Sequence, residues 1–496
     1  MRIWALDNRG GLILKSALFR DESKMIECLG TVRRTPPWPP LLKGGRRVLV
    51  CIAVLCWGSL LLAAEPAVVI HNGTLFDSVA GKMLPDRTVV IQRDKITAVG
   101  SPEKPAEVPA GAQVIDGRGK FILPGLIDAH VHLVHRVSHA RMTGDEILPL
   151  FLGTGVTSVR DTGDEIYGET MVARFADAHP ETCPRVFRCS GLLDGANVIH
   201  RDIGIPIANP EAVPAIVADM AAWGVTTLKI YAGTQRPVGR KVIEEGHKHG
   251  KVVTAHLIAY SAQDAVADGV DCLEHITTVF DFIIPPEVRK DPDHRANLDL
   301  TNPIAKELVE TLSNRKVIVD PTLAVFRNML LLSDLPEIQR HPDVLKMPER
   351  LVASWDEYRQ RSLVRTPETL ERRRKTFRKY QDLTGILYRA GVPLLAGTDA
   401  PEPYCPPGYS LHMEFEYLAE SGLPPAAILQ AATINNARSL KQEAVLGSIE
   451  AGKQADIILL TADPLADIRN TRKIEKVIHA GIVCDPELVL AKVPKK

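Results

Sequence analysis

Short apolar segments that alternate with helical patterns run through the middle of this 496-residue chain. Strands and helices in regular alternation are typical of βαβ units, in which the strands lie parallel. Eight strand candidates in succession predict a (β/α)8 TIM barrel, an α/β fold. These candidates span residues 125–132, 157–161, 185–189, 226–231, 252–256, 272–275, 317–321 and 393–399.

Two further sets of alternating apolar residues lie toward opposite ends of the chain, at 67–76 and 87–99 and at 455–460 and 474–480. Neither set is large enough to bury a face alone, so we expect both to join in one small β-sandwich domain. The predicted organisation is an extension at 1–64, a small β domain split between 65–120 and 446–496, and the barrel at 121–445.

The first 64 residues have the character of an export signal. Arg46-Arg47 precede an apolar stretch at 48–62, which ends in Ala63-Ala64. This order predicts a signal peptide around 46–64 and a secreted or periplasmic protein without a stable membrane span after cleavage. An uncleaved N-terminal anchor is the alternative. Since 45 residues precede the charged pair, we hypothesise that residues 1–45 derive from an upstream start site.

The intact mass of the native protein tests this prediction. We expect a mature N-terminus close to residue 65, because small residues precede the expected cleavage position. A mature chain that begins before Ala53 would contradict it.

Charge and cysteine content exclude several classes of function. Sixty Lys and Arg balance sixty Asp and Glu, which gives no electrostatic basis for nucleic-acid binding. No Gly-rich strand-to-helix fingerprint for a dinucleotide or phosphate is present. The five cysteines after residue 64 lack Cys-x-x-Cys spacing and are expected to be buried or incidental thiols, with a Cys183–Cys189 pair left open. Homo-oligomerisation also stays open.

The end of the first predicted strand carries the most specific chemical signal. His130 and His132 are two residues apart, so in a strand both point the same way, and Asp128 shares their face. Two neutral imidazoles aimed at one point make half of a divalent-metal site. The apolar run at 121–127 is typical of a buried parallel strand, which would put the pair at the end where barrel enzymes keep their active sites.

A second pair with the same spacing, His247 and His249, is a useful contrast. It follows a polar helical pattern and precedes Gly250, a residue typical of a helix C-cap. Residues two apart on a helix do not face each other, so we interpret this pair as a solvated helix end.

The fourth predicted strand carries a lysine that is costly to bury. In Thr226-Thr-Leu-Lys-Ile-Tyr231, Lys229 and Tyr231 share one face. A lysine in an apolar strand is unfavourable unless it is paired or deprotonated. A neutral amine can add carbon dioxide and become a carbamate, an anionic oxygen ligand able to bridge two metals. A salt-bridged structural lysine is the alternative.

Three more predicted strands end in a residue able to bind a metal. Singly, each His is more often a core residue and each Asp more often a helix N-cap. Because all of these residues fall at the same end of successive strands, we favour one shared metal site. Its candidate ligands are His130, His132, Lys229, His256, His275 and Asp399.

Several short motifs at these positions resemble those of one enzyme family. In the barrel region they are Pro124-Gly-Leu-Ile-Asp-Ala-His-Val-His132, Gly155-Val-Thr-Ser-Val-Arg-Asp161, Leu228-Lys-Ile230, Thr254-Ala-His256, Leu273-Glu-His275 and Ala396-Gly-Thr-Asp399. Toward the C-terminus they are Ala431-Ala-Thr433, Leu446-Gly-Ser-Ile-Glu-Ala-Gly-Lys453, Ala455-Asp456 and Asp463-Pro464. With them the chain resembles the amidohydrolase superfamily, and within it the imidazolonepropionase-like and Xaa-Pro dipeptidase (prolidase) branch.

The resemblance implies two divalent metals, with zinc the expected element. His130, His132 and Asp399 would hold one, His256 and His275 the other, and a carboxylated Lys229 would bridge them. Two metals that share one water molecule lower the pKa of that water, so that it becomes a hydroxide nucleophile at neutral pH. They also polarise the substrate carbonyl. Asp399 would then be the catalytic residue that accepts a proton and passes it to the leaving nitrogen.

Two residues are candidates for substrate binding. Tyr231 shares the inward face with Lys229, and the prolidase resemblance implies a contact with the substrate carboxylate; a tyrosine packed at the barrel rim is the alternative. His200 lies where relatives show a Gly-Gly-His segment, a pattern from which this chain departs. For His412 and Glu414 we favour a structural role.

The leading functional hypothesis is a binuclear metal-dependent hydrolase that cleaves a C–N bond of a dipeptide or an N-acyl amino acid. A cyclic-amide hydrolase, lactonase or deaminase of the same superfamily is the alternative. A metal-binding protein without catalysis is disfavoured because Asp399 is present. Specificity would lie in the segments 191–207 and 322–388, and the second of these is expected to form solvated helices whose loops could also cover the pocket mouth.

Overall fold

The computed structural model describes residues 2–6, 12–16, 67–331, 338–362 and 366–495. The chain divides into two compact units, residues 1–64 and 65–496. In the first unit, Arg2–Leu6 (β1) and Leu12–Ser16 (β2) pair as an antiparallel hairpin. The predicted signal segment at 46–64 lies outside the described residues. Within the described parts of the chain, no helix has both the length and the apolar character needed to cross a membrane.

The second unit is built from short strands and helices in alternation. Its strands are Val68–Asp77 (β3), Lys82–Gln92 (β4), Lys95–Gly100 (β5), Gln113–Asp116 (β6), Phe121–Pro124 (β7), Leu126–Val131 (β8), Val156–Asp161 (β9), Arg185–Phe187 (β10), Cys189–Asp194 (β11), Gly204–Pro206 (β12), Thr227–Ile230 (β13), Val252–Ala255 (β14), Cys272–Glu274 (β15), Ile318–Asp320 (β16), Ile457–Leu460 (β17), Ile474–His479 (β18) and Ile482–Cys484 (β19).

The helices of this unit pack mainly around the central strands. They are His135–His139 (α1), Gly144–Leu152 (α2), Ile166–Ala178 (α3), Val213–Ala222 (α4), Arg236–Lys248 (α5), Ala262–Asp268 (α6), Ile276–Phe280 (α7), Pro303–Arg315 (α8), Leu323–Leu330 (α9), Glu349–Ser362 (α10), Pro367–Arg389 (α11), Tyr409–Glu420 (α12), Pro425–Gln430 (α13), Asn436–Ser439 (α14) and Pro486–Leu490 (α15). A π-helical turn, Ala431–Asn435, joins α13 to α14.

The central strands are parallel, as predicted. They form one sheet in the order β10-β9-β8 and another in the order β12-β11-β13-β14-β15-β16. For most of these strands, the predicted boundaries agree with the observed boundaries to within one or two residues. This is a TIM-barrel-like α/β arrangement.

The eighth predicted strand, 393–399, is not a continuous strand. Its backbone nevertheless bonds on both sides: the Leu395 N–H donates to the Val319 carbonyl at 3.1 Å, and the Ala129 N–H donates to the Ala396 carbonyl at 3.1 Å. Isolated bridges at Leu394 and Ala400 extend the same contacts. This segment therefore connects β16 with β8 and ends at Asp399.

The third predicted strand, 185–189, is interrupted at Arg188. β10 pairs with β9, whereas β11 pairs with β13. The Arg188 guanidinium reaches out to the Trp223 carbonyl at 2.8 Å and to the Thr170 hydroxyl at 3.0 Å. One continuous strand at this position was therefore a wrong prediction, because the arginine anchors the chain to the neighbouring helices.

The two ends of the second unit join in a single mixed sheet of eight strands. Its order is β19-β18-β17-β7-β3-β4-β5, with β6 paired to β3. Ile70, Ile91, Ile122 and Ile457 lie in its buried core. The prediction that both ends contribute to one sheet is confirmed.

The run 121–127 is not one barrel strand, which corrects the sequence interpretation. Phe121–Pro124 belongs to the small sheet, where it pairs with β17 and β3. At Gly125 the chain passes so close to β9 that a Cβ atom would lie 2.1 Å from the Thr157 hydroxyl oxygen. Only glycine allows this approach, and the barrel strand begins directly after it.

The long connection between β16 and residue 393 is more than a solvated insertion. The charged run 371–375 does lie at the surface. However, Leu323, Trp355 and Leu383 of its helices belong to the main hydrophobic core. The expectation of purely solvated helices was therefore wrong, because α9, α10 and α11 each bury an apolar face.

The five cysteines of the second unit are free and buried. This agrees with the interpretation of incidental thiols. Cys183 and Cys189 do not form the disulfide that the sequence left open.

Candidate metal centre

A cavity of about 300 Å³ opens at the C-terminal ends of the parallel strands. Parallel strands end at the same edge of a sheet, so side chains near those ends converge on one space. The cavity is lined by all six candidate ligands, His130, His132, Lys229, His256, His275 and Asp399. Tyr231 and His200, the candidate substrate contacts, line it as well.

Seven aromatic rings follow one another in a closed circuit around this cavity. Adjacent ring centroids are 4.6 to 6.3 Å apart. Imidazoles at such separations present several nitrogen donors to one small volume. The order of the circuit is His130, His132, His135, His200, Tyr231, His256 and His275.

Asp399 joins the imidazoles on one side of the circuit. Its carboxylate lies 3.1 Å from His132 Nε2, 3.6 Å from His130 Nε2 and 3.9 Å from His275 Nδ1. His130, His275 and Asp399 hold ligand atoms close enough together to bind one cation. The carboxylate and imidazole donors are those that zinc and similar metals accept.

The imidazoles are held in the neutral form that metal binding requires. Burial, followed by the nearby Lys229 charge, lowers the pKa of His130 to about 4 and that of His256 to about 3. Burial also keeps the pKa of His275 well below its usual value. For Asp399, burial is outweighed by the charge of His130 and the hydrogen bond with His132, so that its pKa lies well below the usual range.

Lys229 is buried, with 1% of its surface exposed. Its backbone N–H donates to the Ser190 hydroxyl at 3.0 Å. Its ammonium group, in contrast, makes no hydrogen bond or ion pair with any residue that the structure describes. A structural lysine in a buried ion pair was the alternative interpretation of this residue, and the described contacts do not support it.

A buried ion-pair network behind the cavity orients His130. The Glu274 carboxylate accepts from His130 Nδ1 at 2.8 Å with one oxygen, and from the Arg160 guanidinium at 2.5 Å with the other. Thr254 also donates to Glu274. Burial alone would raise the pKa of Glu274, but the Arg160 charge holds it well below its usual range. With the Nδ1 proton committed to Glu274, the Nε2 lone pair of His130 faces the cavity.

The other histidines are also oriented through their second nitrogen. His132 Nδ1 lies 3.2 Å from the Gly163 carbonyl, and His275 Nδ1 lies 2.8 Å from the Thr322 hydroxyl. His275, Thr322 and Asp399 all adopt positive φ angles, 66°, 46° and 63°. Non-glycine residues in this region are uncommon and concentrate at functional sites.

Asp128 does not face the cavity with the two histidines, contrary to the simple strand argument. Its carboxylate accepts from the Thr398 hydroxyl at 2.8 Å, from the Thr398 N–H at 3.1 Å and from the His130 N–H at 3.2 Å. Asp128 therefore ties β8 to the segment that carries Asp399, because both of its oxygens are occupied by these neighbours.

The sequence interpretation missed several residues of this site. Arg160, Glu274 and Asp320 are fully buried behind the histidines. The argument applied to Lys229, that a cation in an apolar strand needs a reason, would also have found Arg160. Phe326 and Met329 of α9 and Tyr358 of α10 form an apolar wall of the cavity, with Arg136 and Glu402 beside them. Phe326, Met329 and Tyr358 come from the long connection, Glu402 from a loop and Arg136 from the short helix α1, and no periodic signal in these segments points to a site.

The other residues considered in the sequence analysis make structural contacts and do not line the cavity. His247 lies near the end of α5 and contacts Asp271 at 2.9 Å, while His249 caps that helix. His412 contacts the Thr154 carbonyl and the Thr471 hydroxyl, each at 2.9 Å. Glu414 accepts from the Leu323 and Ala324 N–H groups. These contacts agree with the roles that the sequence analysis favoured.

Candidate metal ligands that converge at one end of a parallel strand set are typical of enzymes with a TIM-barrel-like fold. The profile of the amidohydrolase family matches residues 121–483, and the chain therefore belongs to that family.

Similar proteins agree with this family. An imidazolonepropionase of Idiomarina loihiensis is 24% identical over 404 residues, which cover 80% of this chain and 91% of the relative. A solved structure of a putative prolidase from Bifidobacterium longum matches with a TM-score of 0.64 and 25% identity, over 86% of this chain and 99% of that one. The chain spans half the length of an uncharacterized protein of Mycobacterium bovis, with 28% identity over 194 residues that make up 36% of this chain.

Replacement of Thr398 by Val tests the hydrogen bond by which Asp128 of β8 holds the segment that carries Asp399. We expect Thr398→Val to lower the free energy of unfolding by about 1–3 kcal/mol, because the buried Asp128 carboxylate loses a donor. Thr398→Ser keeps the hydroxyl and serves as the matched control. Denaturant unfolding of both variants gives the comparison, and equal stability of Thr398→Val and wild type would contradict the assigned contact.

Proposed function

We propose that this protein is a binuclear metal-dependent hydrolase that cleaves the C–N bond of a small substrate such as a dipeptide or an N-acyl amino acid. The observation that carries the proposal is the convergence of four histidines, one lysine and one aspartate on a single cavity of about 300 Å³. Membership of the amidohydrolase family supports it.

The side chains of the cavity are proposed to hold two divalent cations. His130 Nε2 is buried and has no hydrogen-bond partner among the described residues. The Lys229 side-chain nitrogen is likewise unpartnered there, and the four imidazoles line one cavity, where neutral imidazoles can act as ligands of a cation. His130, His132 and Asp399 would hold one metal, His256 and His275 the other, and Lys229 would bridge them as a carbamate. Zinc is the metal that this set of nitrogen and oxygen donors favours.

When bound, two such cations lower the pKa of a water molecule and polarise a substrate carbonyl. The protein's own contribution centres on Asp399. Because its pKa is depressed, it is ionised at neutral pH and can accept a proton. It would then return that proton to the leaving nitrogen, so that the amine departs in neutral form.

Tyr231 and His200 are proposed to bind the end group of the substrate. Their ring centroids are 5.5 Å apart, and both side chains are partly buried in the cavity wall. The Tyr231 hydroxyl remains protonated at neutral pH, since burial raises the pKa of this residue. A tyrosine and a histidine can donate hydrogen bonds to a carboxylate, which suits an amino acid or dipeptide.

The structural likeness to a putative prolidase supports an Xaa-Pro dipeptide as substrate. The relationship to an imidazolonepropionase over 80% of this chain favours, as a second candidate, hydrolysis of a cyclic amide. A lactone or an amino-substituted ring remains compatible with the same machinery, since one activated water serves all of these reactions.

Three features of the organisation are proposed together with this function. The backbone bonds of residues 393–400 to β16 and β8 support a closed (β/α)8 barrel. The eight-stranded sheet is proposed to fold over as a β-sandwich, and because Phe121–Pro124 pairs within that sheet, the proposed domain limits become 65–124, 125–445 and 446–496. Export through the segment at 46–64 is proposed from its sequence alone, and a homo-oligomer stays open.

A substrate screen combined with an Asp399 variant tests the function. We expect zinc-loaded enzyme to hydrolyse members of a library of Xaa-Pro dipeptides and N-acyl amino acids. Asp399→Asn should retain much of the metal yet lose about a thousandfold or more in kcat, because the proton acceptor is removed. Metal content by plasma mass spectrometry is measured on the same samples. No turnover of any library member would remove the substrate class, and near-normal rates of Asp399→Asn would remove the proton-transfer role.

The state of Lys229 can be observed directly. Protein equilibrated with 13C-labelled bicarbonate is expected to show a carbamate carbonyl signal by NMR, absent from Lys229→Met. Lys229→Glu supplies a carboxylate without a carbamate and should keep more metal than Lys229→Met, since it preserves an anionic ligand. A signal that persists in Lys229→Met would assign the carbamate elsewhere and overturn the role of this residue.

A further inference from the structure

The cavity that the candidate ligands line is called the reaction cavity below. A second cavity, of about 470 Å³, adjoins it. We call it the outer chamber; it is lined by Arg136, His139, Ser354, Trp355, Glu357, Tyr358, Pro401 and Pro403. Arg136 and Tyr358 line both cavities, so the two spaces meet at these residues. The outer chamber therefore lies directly beside the reaction cavity.

Aromatic and prolyl side chains form part of the wall of the outer chamber, although Trp355, Pro401 and Pro403 are largely buried. Trp355 and Tyr358 of α10 lie there with Pro401 and Pro403, which follow Asp399 closely in sequence. Trp355 is fixed in place, since its indole N–H donates to the Pro401 carbonyl at 2.9 Å and its ring packs 5.6 Å from that of Tyr404. Rigid aromatic and prolyl surfaces of this kind bind planar rings.

The junction between the two cavities carries polar groups that the protein leaves available. The Arg136 side chain donates through Nε to Glu402, and its terminal nitrogens have no acceptor among the described residues. The Tyr358 hydroxyl also has no partner in the described parts of the chain. A carbonyl group that passes through the junction would find donors in both side chains.

The residues that line each cavity indicate where the carboxylate-bearing half and the acyl half of a substrate would lie. Tyr231 and His200, proposed above to contact the substrate carboxylate, line only the reaction cavity. The carboxylate-bearing half is therefore expected to remain there. The opposite, acyl half faces the junction and the outer chamber.

We propose that the outer chamber binds an aromatic ring on the acyl side of the substrate, several bonds away from the amide that is cleaved. This inference rests on the proposed function and narrows it. The substrate class becomes acylated dipeptides or N-acyl amino acids with a distal aromatic group, in preference to small free dipeptides.

Two peptides that share one scissile bond test the proposal, acetyl-Gly-Pro and benzyloxycarbonyl-Gly-Pro. We expect kcat/KM to be about tenfold or more higher for the benzyloxycarbonyl peptide, because it buries an aromatic ring in the outer chamber. Ser354 lines the outer chamber and is absent from the reaction cavity. In Ser354→Phe, which fills the chamber, the ratio of the two kcat/KM values should fall to near one, whereas Ser354→Ala should retain it. Equal values for the two peptides in wild type, or a ratio unaffected by Ser354→Phe, would overturn the proposal.

A binding measurement separates this proposal from the proposed function. Benzyloxycarbonyl-Gly-Pro is titrated into wild-type protein after removal of metal with EDTA, and the change in tryptophan emission is compared with that of Trp355→Phe. We expect a saturable change in wild type that is lost in Trp355→Phe and in Ser354→Phe and is absent with acetyl-Gly-Pro. If neither peptide is hydrolysed, the proposed function fails, while this titration, which needs no turnover, still decides whether the outer chamber binds the ring.

Discussion

The buried pairing of Glu274 with Arg160 and His130 is the interaction on which the site depends. One carboxylate, fully enclosed, contacts side chains from β8, β9 and β14. A lone charge at this depth would be strongly unfavourable, and removal of one partner from such a network costs about 3–5 kcal/mol. The pair therefore locks the strands in one register and gives the His130 ring a defined tautomer. The cavity geometry follows from that rigidity.

Several residues at the edge that carries the candidate ligands adopt unfavourable backbone conformations. His275, Thr322 and Asp399 all have positive φ. His275 directly follows β15, Thr322 lies two residues after β16, and Asp399 ends the segment that connects β16 with β8. Such conformations cost about 1–3 kcal/mol each and persist only where surrounding contacts outweigh them. Here the Asp128 bonds to Thr398 and the backbone bonds of residues 393–400 supply those contacts. Hydrogen bonds between neighbouring segments thus offset the cost of backbone conformations that orient the candidate ligand side chains.

The long connection after β16 supplies several side chains that line the two cavities. α9 contributes Phe326 and Met329, and α10 contributes Tyr358 and Trp355. The same helices bury apolar faces in the main core. Because these helices are anchored in the main core, the parts of the cavity walls that they supply are fixed by packing around the central strands.

The sequence by itself determined the strand order and the convergence of the six candidate ligands. Period-2 side-chain alternation and parallel strands leave one edge where His130, His132 and Asp399 can meet. Only the tertiary structure decided the break at Gly125, the interruption at Arg188, the turning of Asp128 toward Thr398, and the cavity walls from α9 and α10. These features depend on contacts between residues far apart in the chain, such as a Cβ clash against Thr157 or a hydrogen bond across 270 positions. Local periodicity carries no record of such contacts, which exist only once the strands are packed.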